Sequence, residues 1–188
     1  MNKFLAFSLA LCGAIASAHA ADTYTIDPGF STAHFEITRL GFSTQRGSFN
    51  KTSGKVKLDL EAKTGSVEFT INTRSIDMGS AAWTAHLSDE GLFNVKKYPT
   101  MTFKSDRLIF DGAKVIAAEG QFTLLGVTKP IKVIVNDFQC GVSSVDQRQM
   151  CSGNVSASLK RSEFGLTKYI PAVSDEVSIA VPIDAYKN

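Results

Sequence analysis

The sequence contains few histidines and cysteines, the residue types that commonly act as catalytic groups or metal ligands. Among 188 residues there are only 3 histidines, 3 cysteines and 1 tryptophan. Residues 23–188 contain no G-x-S-x-G, HExxH, CxxC or Gly-rich phosphate-binding motif, so no cofactor is expected. A zinc site needs about four ligands. Beyond residue 20 the chain offers only His34, His86 and two cysteines, and we therefore expect no metal site.

The chain also has no large excess of one charge, and beyond residue 20 it has no long apolar run. Lys and Arg total 20 against 18 Asp and Glu, a net charge of +2, whereas a nucleic-acid-binding protein needs a stronger positive charge. After residue 20 no apolar run exceeds about four residues, far short of a membrane-spanning helix. These properties predict a protein without a nucleic-acid partner or an integral membrane segment.

The first 20 residues differ from the rest. Lys3 precedes a mostly apolar run over residues 4–16, and Ala18-His19-Ala20 follows it. This order is typical of a secretory signal peptide, and the apolar run is too short for the alternative of a membrane anchor. We expect residues 1–20 to be a signal peptide that is cleaved after Ala20. Residues 21–188 would then form a single soluble domain in the periplasm or outside the cell.

Two cysteines remain after such cleavage, Cys140 and Cys151, with ten residues between them. An even number of cysteines in an exported chain usually indicates a disulfide. A redox pair is the alternative, but the spacing is not CxxC and no histidine is close in sequence. The pattern therefore favours a structural disulfide.

Most of the remaining sequence alternates between apolar and polar residues, as a half-buried β-strand does. Gly and turn-forming residues separate the segments, and no helix of crossover length lies between them, so we predict about eight antiparallel strands. A closed barrel and a two-sheet sandwich both fit this pattern. The clearest strands lie at residues 33–37, 56–60, 67–71, 101–103, 108–110, 122–124, 131–135, 155–159 and 177–183.

The segment from Ser80 to Phe93 breaks the alternation. Ser80 is a plausible helix N-cap, Trp83 and Leu87 share one helical face, and Ser88 is a plausible cap for a second turn. We predict a short helical insert near residues 80–94, which would either cover one end of a barrel or pack on its outside. His86 on this insert could face a ligand, whereas His34 lies on the polar side of its strand and is expected to face solvent.

The sequence is rich in phenylalanine, with 13 in all and 11 after the first 20 residues. A small barrel either fills its interior with side chains or encloses one small ligand. Phe, Ile, Val and Met offer no charge for a polar ligand, so a ligand in such an interior should be lipophilic.

Several short motifs follow one another along nearly the whole chain beyond residue 20. They are Asp27-Pro28, residues 31–37, 40–43, 47–49, His86-Leu87, 92–95, 97–103, 120–130, 161–166 and 175–177. In this order they resemble the motifs of the YceI-like family. The resemblance implies an extended, lipocalin-like, eight-stranded antiparallel barrel in secreted or periplasmic bacterial proteins that bind polyisoprenoids, quinone-like molecules or other long-chain amphiphiles, with no catalytic residues. Two positions depart from the family pattern, Phe30 in place of a usual His and Trp83-Thr84 in place of a usual Arg-Asp.

We therefore expect a non-catalytic protein that binds, transports or sequesters a long-chain lipophile inside the barrel. One alternative is an enzyme that uses His86 as acid or base beside Asp89 or Glu90, and another is a fully packed interaction module. A homodimer formed through a strand edge or the Trp83 helix is also compatible with the sequence. The expected ligand-binding residues are Phe35, Ile37, Phe69, Ile71, Trp83, His86, Leu87, Phe93, Met101, Phe103, Phe122 and Phe164.

Overall fold

Residues 20–188, which the computed structural model describes, form eleven strands, one α-helix and two short 3-10 turns. The predicted signal peptide lies outside them, apart from its last residue. All strand pairings are antiparallel. The strands are β1 (Asp22–Ile26), β2 (Ala33–Arg39), β3 (Ser43–Phe49), β4 (Thr52–Asp59), β5 (Thr64–Asn72), β6 (Ile76–Asp77), β7 (Thr100–Asp111), β8 (Lys114–Leu124), β9 (Val127–Val142), β10 (Gln149–Lys160) and β11 (Val173–Lys187).

Eight of these strands close into a barrel in the order β1-β4-β5-β7-β8-β9-β10-β11. The closure joins the first and last strands, with Tyr24 opposite Lys187 and Ile26 opposite Ala185. An ion pair of 2.7 Å between Lys187 Nζ and Asp22 Oδ2 lies at the same seam. The barrel predicted by the resemblance is therefore confirmed, and the sandwich alternative is wrong.

The barrel is extended at one end because β11 has two partners along its length. Its C-terminal part pairs with β1, while its N-terminal part pairs with β2, where Val177 lies opposite Ile37. The sheet continues from β2 to β3 and then to the two-residue β6. These three strands form a wall that stands above the eight-stranded ring.

The helical insert is confirmed, although its helix is shorter than the predicted segment. Helix α1 covers Ala81–Ser88 and is followed by turns up to residue 97. Ser80 occupies the N-cap position but its side chain makes no capping hydrogen bond. The predicted second cap is wrong, because the Ser88 hydroxyl donates to the carbonyl of Thr84 in the preceding turn.

The predicted disulfide is also present. Cys140 on β9 and Cys151 on β10 lie directly opposite each other and are bonded, and the tip of their hairpin is the turn at residues 143–148. Among residues 20–188, no helix is both long and apolar enough to span a membrane.

Candidate functional site

A cavity of about 400 Å³ occupies the extended end of the barrel. Strands β2, β5, β7, β8, β10 and β11, the helix α1 and the loop between residues 165 and 173 all contribute to its lining. Most of the lining side chains are apolar because the period-two pattern turns one side of each strand inward. The volume is in the range typical of sites for small molecules.

Nine of the twelve predicted ligand-binding residues line this larger cavity. Phe69 and Phe103 line a different cavity instead. Phe164 lines neither cavity, since it is almost fully buried and packs edge-on against Phe122 with ring centroids 5.6 Å apart. The nine that line the larger cavity are Phe35, Ile37, Ile71, Trp83, His86, Leu87, Phe93, Met101 and Phe122.

The second cavity is smaller, about 130 Å³, and lies toward the end of the barrel where β1 and β11 meet. The two cavities share no lining residue. Along β7 the division falls between Met101 and Phe103, and Phe122, opposite Phe103 on β8, belongs to the larger cavity. These large side chains form a partition across the barrel, with Phe164 packed behind Phe122.

Aromatic rings build one wall of the larger cavity. The ring of Phe49 on β3 lies 5.6 Å from that of Phe35 and 5.4 Å from that of Phe93. Phe35 can lie flat across β3 because position 47 is glycine, where a Cβ atom would overlap both the Phe35 ring and the Met78 sulfur. The wall therefore depends on a close approach that only glycine allows.

Helix α1 and the loop at residues 165–173 form the mouth of the larger cavity. Tyr169 Oη and His86 Nε2 are hydrogen-bonded at 3.1 Å, which joins the loop to the helix. Trp83 packs edge-on to His86, with ring centroids 6.2 Å apart. The helix therefore lies at the end of the barrel, and the alternative that it packs on the outside is not what the structure shows.

Arg161 holds the loop in place. Its side chain is buried and donates hydrogen bonds of 2.7–3.0 Å to the carbonyls of Leu166, Lys168, Val173 and Ser174. Burial lowers the pKa of the guanidinium. The group nevertheless stays charged because an arginine pKa is far above neutral. One side chain thus satisfies two carbonyls of the loop and two at the start of β11, and fixes the mouth.

The charges that line the larger cavity are all basic. They come from Arg39, Arg161 and Lys168, and no Asp or Glu is among the lining residues. Asp89 and Glu90, which the enzyme alternative pairs with His86, are exposed, and the side-chain partner of His86 is Tyr169. Within residues 20–188 the cavity therefore shows no carboxylate–histidine pair of the kind that general acid–base catalysis commonly uses.

Sequence reasoning missed most of the polar part of this lining. Arg39, Lys168 and Tyr169 come from a strand end and a loop, where alternation of apolar and polar residues gives no signal. Gln45 lies within β3, where residues 43–48 are all polar or glycine and so do not alternate. Arg161 stands within one of the family-like motifs, but its role as an anchor of the loop was not foreseen. The sequence feature that could have identified this role is a charged residue in a segment between two buried strands, and that feature is a weak signal.

Solved structures share this architecture. Burkholderia cenocepacia BcnA superposes with a TM-score of 0.72 and 25% sequence identity, covering 85% of this chain and 98% of that protein. A polyisoprenoid-binding domain from Saccharophagus degradans superposes with a TM-score of 0.64 and 16% identity, covering 90% of this chain and the whole of that one. The second likeness shows the fold alone.

Sequence comparison gives the same result. A UPF0312 protein of Azotobacter vinelandii is 30% identical over 187 residues, which cover 97% of this chain and 95% of that protein. UPF0312 proteins of Vibrio cholerae are 34% identical over 120 residues, and the match spans only 63% of their length. The family model described as the YceI-like domain matches residues 24–185. Those residues include nearly all of the barrel and the lining of both cavities. Because the family model matches most of the chain, the chain belongs to the YceI-like family.

Proposed function

We propose that this protein binds a long-chain lipophile in the larger cavity and carries or sequesters it without changing it chemically. The observation on which the proposal depends is the cavity itself, about 400 Å³ and mostly apolar, with a mouth at one end of the barrel. Polyisoprenoids, isoprenoid quinones and related amphiphiles are the ligand class that we expect. The fully packed alternative does not fit an interior with this volume.

The physical basis is the burial of hydrocarbon. Each buried methylene contributes about 0.8 kcal/mol. Several isoprene units are therefore enough for tight binding, even after the cost of ordering the ligand. Arg39, Lys168, His86 and Tyr169 also line the cavity at its mouth, and we expect these basic and aromatic groups to contact a polar end of the ligand.

The comparison with known proteins supports the ligand class. The Saccharophagus degradans domain is described as polyisoprenoid-binding, and it has the same fold. Nine of the residues proposed from the sequence line one continuous cavity, which is what a ligand-binding role requires. Their contact with a ligand remains a proposal.

We also propose that residues 1–20 direct export and are removed after Ala20. The first strand begins at Asp22, so cleavage there leaves every strand intact. The disulfide between Cys140 and Cys151 supports an oxidising compartment such as the periplasm, because cytoplasmic thiols are kept reduced.

The first experiment is to purify the exported protein without detergent and to record native mass spectra. Solvent extraction would then identify whatever is released. We expect one long-chain lipid per barrel. An empty protein that also fails to bind added prenyl lipids would contradict the proposal.

A pair of variants on one strand ties binding to the larger cavity. Val177 on β11 lines the cavity, whereas Ser178 is the next residue and faces outward. Val177→Trp should fill the space and reduce lipid binding by about tenfold or more, equivalent to about 1.4 kcal/mol. Ser178→Trp adds the same group to the outside and should bind as the wild type does. Equal binding by both variants would place the ligand elsewhere.

The enzyme alternative is tested by His86→Ala. Catalysis would require loss of turnover with retention of binding, and a carrier requires that the bound lipid be recovered chemically unchanged from both proteins. Mass spectrometry of lipid before and after incubation with the protein measures this.

A further inference from the structure

Three segments around the mouth of the larger cavity expose large apolar side chains to solvent. They are the β2–β3 turn, helix α1 and the loop that follows the second 3-10 turn. Phe42 is 85% exposed and Trp83 is 50% exposed, which is unusual for side chains of this size. We call this group the rim patch, and it consists of Leu40, Phe42, Trp83, Tyr169 and Ile170.

The rim patch is one surface, because hydrogen bonds join its three segments. The backbone N–H of Leu40 donates to the carbonyl of Ala172 at 2.7 Å, which links the β2–β3 turn to the loop. The hydrogen bond between Tyr169 and His86 links the same loop to α1. Leu40, Trp83 and Tyr169 also line the cavity, so the patch continues directly into the interior.

Basic groups accompany the rim patch. Arg39 precedes Leu40, Lys168 precedes Tyr169, and both also line the cavity mouth. Asp89 and Glu90 follow α1, but neither lines the mouth. An apolar surface with adjacent positive charge is the combination that binds to an anionic bilayer, where apolar side chains enter the interface and basic side chains meet lipid phosphates.

We propose that the rim patch docks this protein onto an anionic lipid bilayer, with the cavity mouth facing the lipid. Docking in this orientation lets a lipid move between the bilayer and the larger cavity without the unfavourable exposure of its hydrocarbon to water. This purpose rests on the function proposed above, whereas the docking itself depends only on the surface.

Vesicle flotation tests the proposal directly. The exported protein is mixed with vesicles of equal parts phosphatidylglycerol and phosphatidylcholine, or of phosphatidylcholine alone, and centrifuged through a density gradient. We expect the protein to float with the anionic vesicles and several-fold less with the neutral ones. Absence of flotation with both kinds of vesicle would overturn the proposal.

The key variant is Phe42→Ser. Phe42 lines neither cavity and lies outside the loop that forms the mouth, so lipid binding in solution should be unchanged. Loss of this apolar side chain from the interface should weaken vesicle binding by about tenfold. The matched control is Val145→Ser, because Val145 is 92% exposed in the disulfide-bonded hairpin at the other end of the barrel. Equal loss in Val145→Ser and Phe42→Ser would contradict the assignment of the rim patch.

Trp83 provides a second readout because it is the only tryptophan of the chain. Its fluorescence should shift to shorter wavelength with anionic vesicles in the wild type and in Val145→Ser, and much less in Phe42→Ser. A protein that carries lipid but does not float would refute docking and leave the proposed function intact. A protein that floats but never binds lipid would refute the function alone. A dimer that Phe42→Ser dissociates, without flotation, would assign the patch to a second copy and overturn the proposal.

Discussion

The two ends of the barrel are built from the same long strands, but different contacts complete them. At one end β1 pairs with β11, a disulfide joins β9 to β10, and the cavity is about 130 Å³. At the other end the strands diverge into the β2–β3–β6 wall, and loops and a helix surround a cavity of about 400 Å³. Regular strand pairing completes the first end, and side-chain hydrogen bonds complete the second.

This difference separates stability from binding. The smaller cavity is lined almost entirely by apolar side chains, and burial raises the pKa of the Tyr24 hydroxyl beside it. The larger cavity carries the basic groups and the hydrogen bond between His86 and Tyr169 at its mouth. Substitutions at the first end should therefore change the free energy of unfolding more than lipid binding, and those at residues that line the larger cavity should change both.

The largest effect should come from Arg161→Met. Removal of the guanidinium takes away the donor of four carbonyls, two in the loop and two at the start of β11, and each unsatisfied group costs about 1–3 kcal/mol. We expect the free energy of unfolding to fall by about 5 kcal/mol, and we expect the bound lipid to be lost because the mouth opens. Denaturant melts and native mass spectra measure the two effects. Arg148→Gln, an exposed arginine at the opposite end, is the control and should change neither by a comparable amount.

Phe122→Ala removes part of the partition between the two cavities. A buried Phe→Ala change typically costs about 3–4 kcal/mol. If the cavities join, the protein should retain lipids with longer chains than the wild type does, which solvent extraction and mass spectrometry would show. Phe122→Leu keeps a large apolar group there and should leave the chain-length distribution unchanged. The same distribution in all three proteins would mean that the partition does not limit the ligand.

Loss of the disulfide should affect only the first end. A bridge across a loop of this length stabilises a protein by about 2–3 kcal/mol, chiefly by restricting the unfolded chain. The variant C140A/C151A should therefore melt at a lower denaturant concentration yet carry as much lipid as the wild type, since neither cysteine lines the larger cavity. A proportional loss of lipid would show that the two ends are coupled.

The smallest expected effect is on the stability of the fold at low pH. Hydrogen bonds from the hydroxyl and the backbone N–H of Ser162 lower the pKa of Asp175. The folded pKa is then below the unfolded value of about 3.9, so this stabilisation is present above that pH and is lost as pH falls through the folded pKa. Asp175→Asn should flatten the decline in stability below about pH 4, measured by thermal melts. The pKa of Asp146 in the hairpin is also lowered. Because the hairpin lies at the opposite end from the larger cavity, Asp146→Asn should leave the amount of lipid retained in acid unchanged.

Alternation of residue types located segments of eight of the eleven strands, because the pleat fixes which side chains point inward, and it missed β1, β3 and β6. It does not fix the depth of a side chain within the barrel. Phe69 and Phe103 have the inward phase of Ile71 and Met101, yet they line the smaller cavity. Depth depends on strand stagger, and stagger is set by pairings between distant segments.

The mouth was the least predictable region for a related reason. Arg39, Lys168 and Tyr169 come together only because β2 pairs with β11 and because hydrogen bonds from Arg161 hold the loop that follows it. No local pattern encodes either event. The helical insert was recognised because Trp83 and Leu87 have helical spacing, while its end at Ser88 depends on tertiary contacts.

The seam between β1 and β11 sets the order in which the molecule can be completed. Thr25 Oγ1 donates to Asn188 Oδ1 at 2.6 Å, between residues 163 positions apart. During synthesis from the N-terminus, this edge of β1 has no partner until β11 has emerged. Pairing between such distant segments is slow. Closure of the ring is therefore a late event in folding, and β1 presents an unpaired edge until β11 covers it.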